Sequence, residues 1–346
     1  MKLGIMLGYT PGTMNDKLDL VHRAEALGFD SVWTSEAWGR DAVTSAAWVL
    51  ARTERINVGT AIMQMGARTP AAAAMAAMSM HEMSGGRFIM GIGPSGPQVI
   101  EGWHGTPYGK PLGRTREYIA IIRKILAREA PLEHDGEHYQ IPYNGPGATG
   151  LGKSLKTILH PDPSLKIYTG SFTPAGVRTA AEIADGVIPI FANPERLDLF
   201  ADDLSTGFGK AAGAKTMSSF DFAPFCRVVV NDDLEAARNS LRDYFALYIG
   251  GMGAKGKNFY NDYACTLGFE EAAGNIQDLF LNGKRAEAAA AVPDQLIDEL
   301  ALVGPRSRIK ERLDVWKSAA RDGKVTTLIN VSPTVDSVEL LAEAVL

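Results

Sequence analysis

Short apolar runs and helical periodicities alternate along almost the whole chain. Eight runs read as strands: Leu3–Leu7, Ser31–Ser35, Ile56–Met63, Phe88–Gly93, Lys166–Gly170, Gly186–Phe191, Phe222–Val230 and Thr326–Val331. Most are continuously apolar rather than alternating, as in parallel strands covered on both faces. The stretches between them carry helical spacing. Asp16–Leu27 spaces Leu and Ala along one face and stops at Gly28, and Asp41–Arg55 opens on an acid suited to an N-cap. Arg114–Arg128 aligns Ile119, Ile122, Ile125 and Leu126, and Thr173–Asp185 has Pro174 in its first turn, where the missing N–H costs nothing. Eight β/α units with no composition break predict an α/β fold, a (β/α)8 TIM barrel.

Two segments exceed ordinary connections. Residues 131–163 are rich in Gly, Pro and His, and residues 248–303 form a mainly helical insertion that opens on IGGMGAKGKNFYND. Segments of this length are usually functional or oligomer-forming. The expectation is one barrel domain over residues 1–346 with these two insertions.

Gly91-Ile92-Gly93-Pro94-Ser95-Gly96 fits the G-x-G-x-x-G pattern of dinucleotide-binding folds. That fold needs a helix directly after the glycines and an acid roughly 20 residues on. Here PQVIEGWHGTPYGKPLG follows and reads as a loop, a helix begins only near Arg114, and the positions about 20 residues on, Arg114 to Arg116, lie inside that helix rather than at a strand end. In a barrel the same glycines end a strand, where a ligand approaches bare backbone N–H groups.

Composition narrows the function. The 346 residues are 46% hydrophobic and 22% charged, the make-up of a soluble globular enzyme. The net charge of -5, with no basic run, argues against nucleic-acid and anionic-membrane partners. Cys226 and Cys265 lie far apart without metal spacing, so a disulfide-free cytoplasmic protein is expected. The N-terminal KLGIMLG begins a strand rather than a signal peptide, and no apolar stretch reaches the ~18 residues of a membrane helix. A small-molecule substrate is the remaining partner.

In a barrel the C-terminal strand ends meet at one mouth. Here they read Trp33-Thr34-Ser35-Glu36-Ala37-Trp38, Thr60-Ala61-Ile62-Met63-Gln64-Met65, Gly93-Pro94-Ser95-Gly96 and Thr169-Gly170-Ser171-Phe172-Thr173. This lining is small, apolar and hydroxyl-rich, with one carboxylate (Glu36) and one indole (Trp38). It suits a flat aromatic ring with a polar rim. The six histidines are scattered, so no metal site is expected. The Gly170–Thr173 end runs into a helix whose first amides favour a phosphate. Each residue has a plainer reading. Glu36 fits a solvated acid or a partner of Arg40, and Trp38 and Phe172 fit packing. Ser95 and Ser171 fit turns, and His104, in Gly-Trp-His-Gly, fits a solvated loop as well as a general acid. Arg114 and Arg116 fit helix-surface charges as well as phosphate ligands, and the methionines of the third helix fit core filling.

VGTAIMQMGARTP followed by SGGRFIMGIGPSGP, GFDSVWTSEAWGRDA followed by ARTERINVGT, and AAEIADGVIPIF together resemble the bacterial-luciferase-like superfamily. GPSGPQVIEGWHG, PLGRTREYI and LYIGGMGAKGKNFYND are similar to its F-420-dependent oxidoreductase branch, related to methylenetetrahydromethanopterin reductase. The resemblance covers essentially the whole chain. It implies a (β/α)8 barrel, commonly a homodimer, that binds coenzyme F-420 or FMN at the mouth. It also implies a non-proline cis peptide after the third strand, which maps to Ala61–Ile62. By resemblance Gly93, Pro94, Ser95, Gly96, Gly170 and Ser171 lie near the phosphate and ribityl tail. Glu36 lies close to the ring, with Ser35, Trp38 and Phe172 in the same site. Ala37 stands where some relatives have histidine, and Gly96 and Pro97 where others have glutamate. The candidate catalytic residues are therefore Glu36 and His104. The implied activity is F-420-dependent hydride transfer to or from an organic substrate; FMN-dependent monooxygenation and non-catalytic flavin binding are the alternatives.

Overall fold

The computed structural model describes residues 1–8 and 13–346. Its main strands are β1 (Lys2–Met6), β2 (Ser31–Thr34), β3 (Asn57–Thr60), β4 (Phe88–Gly93), β5 (Ile167–Gly170), β6 (Gly186–Ile188), β7 (Asp221–Phe222), β8 (Phe225–Val230), β9 (Ala301–Gly304) and β10 (Thr327–Asn330). β1 to β7 lie side by side in chain order, every pair parallel, and β10 flanks β1 on its other edge. The run 221–226 closes the ring. On one side Ala223 N and Phe225 N donate to Val187 O and Pro189 O at 2.9 Å; on the other, Thr326 N and Ile329 N donate to Phe222 O and Pro224 O at 3.0 Å. β7 and β8 thus act as one stave, interrupted where Pro224 has no N–H to give. The expected barrel is present.

Two aromatic side chains fill the barrel interior, and glycines make room for them. Trp33 and Tyr168 lie with ring centroids 5.6 Å apart. A Cβ on Gly59 would lie 2.3 Å from the Trp33 ring, and one on Gly186 would lie 2.9 Å from the Tyr168 ring. Close packing allows such rings only where the neighbouring strands give up volume. A second apolar layer, with Val58, Met90, Ile92, Ile167 and Leu328, faces the surrounding helices.

The helices begin where capping chemistry starts them. Thr13 and Asp16 form a capping box for Met14–Ala26, Asp41 caps Ala42–Leu50 and Thr173 caps Pro174–Ile183. The second helix ends at Leu50, short of the expected Arg55, and the fourth-unit helix starts at Pro111 rather than Arg114. A proline supplies that start, as it does for the single helical turn Pro97–Ile100 inside the stretch read as loop.

The 131–163 segment carries a small hairpin, His134–Asp135 with Gln140–Ile141. Glu117 holds it by accepting the amides of Glu137, His138 and Tyr139 and the His134 ring at 2.9–3.2 Å. The 248–303 segment holds helices Phe259–Thr266, Glu270–Leu281, Arg285–Ala290 and Asp294–Leu300. It ends in β9, a strand the periodicity did not predict, paired residue by residue with β8 from Arg227↔Ala301 to Val230↔Gly304. No described helix is long and apolar enough to cross a membrane.

Candidate active site

The third strand breaks at its C-terminal end. Gly59 pairs with Ile89, yet Met63 pairs with Ile92, so four steps on one strand face three on the next. The extra residue makes a bulge, and within it the Ala61–Ile62 peptide is cis. Thr60 repairs the ladder: its hydroxyl donates to Gly91 O at 2.7 Å and accepts Gly91 N at 3.0 Å. Ile62 is thereby set across the mouth. A Cβ on Gly93 would lie 2.5 Å from its Cδ1, and one on Gly170 would lie 2.7 Å from its Cγ2. On their Cβ side these two glycines make room for the Ile62 side chain. The result is a half-buried apolar platform at the barrel mouth.

Behind the platform runs a buried polar chain. Arg68 Nη1 and Nη2 donate to the two Glu36 carboxylate oxygens at 2.8 Å each, with side chains only 18% and 7% exposed. Glu36 is thus an ion-pair partner of Arg68. Arg68 also pairs with Asp41. Burial works against the Asp41 charge, but the Thr44 amide and Arg68 outweigh it and hold this carboxyl below its ordinary range. Glu36 further accepts Gln64 N at 2.9 Å.

Gln64, wholly buried, is the junction. Its Nε2 donates to the carbonyls of Glu36 and Ala37 at 3.3 Å and to Ser95 Oγ at 3.1 Å. These acceptors orient the amide and leave Oε1 facing His104 Nε2 at 2.7 Å. An amide oxygen only accepts, so His104 carries a proton on Nε2, and Nδ1 is the atom left to gain or lose one. Ser95 sits at φ +60, a left-handed backbone that disfavours side chains by about 1–2 kcal/mol. Gln64 holds its hydroxyl, and the Tyr108 hydroxyl donates to its carbonyl at 3.1 Å.

The remaining candidates distribute around this core. Ser35 Oγ is buried at the end of β2 with no hydrogen-bond partner, an unspent polar atom beside the mouth. Trp38 stands 63% exposed at the rim. At the fifth strand end, a Cβ on Gly176 would fall 1.7 Å from Ser171 Oγ, so the Ser171 hydroxyl occupies the cradle over the first turn of helix Pro174–Ile183. That serine and those amides fit an anion. Pro94 and Gly96 flank Ser95 at the fourth strand end. Arg114 donates to Pro107 O at 2.7 Å, and Arg116 bridges to Glu182 and Thr179. Both make structural contacts within the chain. Among the described residues no group of His, Cys, Asp and Glu could hold a metal.

Opposite the platform the 248–303 insertion and the helix before it add an aromatic wall. Phe172 stacks on Tyr260 at 4.9 Å, and Phe191 touches Tyr244, Tyr248 and Tyr260 at 5.7–6.1 Å. Arg227, on β8, lies over the Tyr244 ring at 3.6 Å. Arg68, Tyr108 and Arg227 escaped the sequence reading, Asp41 was read only as a helix cap, and Gln64 was given no role. Only the position of Gln64, two residues past the third strand's bulge, marked it.

A luciferase-like monooxygenase family model matches residues 1–323. A Mycobacterium tuberculosis protein provisionally named as a coenzyme F-420-dependent oxidoreductase is 41% identical, over 100% of this chain and 99% of its own. The 5,10-methylenetetrahydromethanopterin reductase of Archaeoglobus fulgidus is 28% identical over 96% of this chain and 94% of its own. Among solved structures, the coenzyme F-420-dependent tetrahydromethanopterin reductase of Methanopyrus kandleri superposes with a TM-score of 0.78 at 20% identity, covering 99% of this chain and 98% of that one.

Proposed function

This chain belongs to the luciferase-like monooxygenase family, and on that footing we propose that it is a coenzyme F-420-dependent oxidoreductase acting on a small organic substrate. The observation that carries the reading is the Ile62 platform, cleared by Gly93 and Gly170, set beside full-length identity to a relative named for that cofactor. The deazaflavin, when bound, supplies hydride chemistry; the chain supplies orientation, a dry mouth and proton handling. Ile62 would carry the ring, with Ser35 Oγ as a free polar contact, Glu36 behind and Trp38 at the rim. Ser171 and the first amides of helix Pro174–Ile183 would hold the phosphate, near the Gly93–Gly96 turn.

His104 is the proton-exchanging group in this reading, acting through Nδ1 because Gln64 occupies Nε2. Glu36 is a positioning residue: both its oxygens are taken by Arg68 and Gln64. A homodimer accompanies the reading. Leu151, Leu155 and Ile158 stand 85%, 68% and 91% exposed on the 131–163 segment, apolar surface that a second copy would cover.

Titrating the purified protein with F-420 and with FMN, followed by tryptophan quenching, tests the cofactor. Micromolar binding of F-420 with weaker FMN binding is expected. Micromolar FMN binding with none of F-420 overturns it in favour of a flavin monooxygenase, and tight F-420 binding with no turnover across a substrate panel favours a carrier.

A further inference from the structure

The seventh stave faces the third across an eight-stave ring, so the rim of β8 looks toward the Ile62 platform. The residue there is Arg227. It shares the inward phase of Phe225, which packs with the barrel-interior cluster alongside Val331. Its surroundings are unusual for a permanently charged group. Among the described residues it forms no ion pair and its buried Nε has no partner; Nη1 donates to Ser332 Oγ, and its guanidinium lies over Tyr244 at 3.6 Å. Arg68 and Arg238, also half-buried, are neutralised by two or more carboxylates, and Arg87 spends every nitrogen on backbone carbonyls and the Thr53 hydroxyl. A buried donor left empty is costly, and a guanidinium held over a ring is pre-organised for a planar, two-oxygen acceptor. From Tyr244 a chain of half-buried rings, Tyr248, Tyr260 and Phe172, runs on with centroids 4.7–4.9 Å apart.

We propose that Arg227 is the anion-recognising residue of the substrate site, and that the substrate is an organic acid whose carboxylate meets this guanidinium while its apolar body lies along the aromatic wall. This rests on the cofactor reading above and deepens it. The same guanidinium chemistry would also suit the cofactor's own phosphate, so the test separates the two sources.

The probes are benzoate and its neutral isostere benzamide, titrated into the F-420-loaded protein and followed by tryptophan and deazaflavin fluorescence. Benzoate should bind about tenfold more tightly than benzamide, the scale of one charge-assisted pair. Arg227→Met should erase that preference while F-420 affinity stays within about threefold of wild type, and Arg227→Lys should restore part of it. Equal binding of the two probes to the wild type, no benzoate binding at millimolar concentration, or a preference that survives Arg227→Met overturns the assignment. A fall in F-420 affinity in Arg227→Met without loss of benzoate preference also overturns it, assigning the residue to the cofactor instead. Failure of F-420 to bind the wild type is read separately, in the loading step, and strikes the cofactor reading rather than this one.

Discussion

Arg68 grips both carboxylate oxygens of Glu36 at 2.8 Å, and this one pairing ties the strand-two acid to the segment that follows the third strand's bulge. The pair is little exposed, so removing the Glu36 charge leaves the buried guanidinium on the more exposed Asp41. Glu36→Gln should lower unfolding free energy by about 3 kcal/mol in urea titrations and weaken F-420 binding together with stability. Unchanged stability with lost turnover would instead make Glu36 a proton carrier.

The Gln64–His104 bond fixes a tautomer. In 15N-resolved spectra the His104 ring should show its proton on Nε2, and Gln64→Met should let the two tautomers average. If turnover passes through Nδ1, His104→Ala should lower kcat about hundredfold. The double variant should then be no slower, because the two residues act as a unit. Additive losses would separate their roles.

Two glycines face different atoms of one side chain. Gly93→Ala meets Ile62 Cδ1, whereas Gly170→Ala meets Ile62 Cγ2. Each should cost about 1–3 kcal/mol of stability through overpacking. Ile62→Val removes Cδ1 only, so it should rescue Gly93→Ala and leave Gly170→Ala uncorrected. Thermal melts of the two double variants measure this directly.

Glu117 ties the His134–Ile141 hairpin to the barrel. Burial opposes its charge, but the His134 ring and three amides outweigh it and hold its carboxyl below the usual glutamate range. With the folded pKa depressed, its contribution is full at neutral pH and above the unfolded pKa, and it is lost as pH falls through the folded value. The stability gap between wild type and Glu117→Gln should therefore be wide at pH 7 and close in acid below the ordinary glutamate pKa. A gap independent of pH would rule out the carboxylate as the tether.

The barrel was legible because its strands are continuous apolar runs, and hydrophobic period is a local signal. The bulge was legible only through resemblance: nothing in Gly59-Thr60-Ala61-Ile62 announces a cis bond. β9 was hidden because Ala301–Gly304 directly follows a helix, and a four-residue apolar run reads equally as a helix end. Glu36 and His104 were found as residue types at strand ends. Their relation was not, since Gln64 and Arg68 join them across 28 to 40 residues of sequence. What the missing Cβ of Gly93 and Gly170 makes room for, the Ile62 side chain, was not legible, because a glycine's neighbour is a fact of three dimensions.

The chain leaves the barrel after Val230 and returns to the same ladder at Ala301, its partner strand lying alongside from Arg227 to Gly304. An excursion that starts and ends on two adjacent parallel strands leaves the spacing of the other staves untouched. It is a cassette. Proteins built on this barrel can therefore lengthen or exchange the stretch between those strands, and with it the aromatic wall, while the Ile62 platform is inherited unchanged. New substrates would be acquired on one side of the mouth and the old cofactor kept on the other.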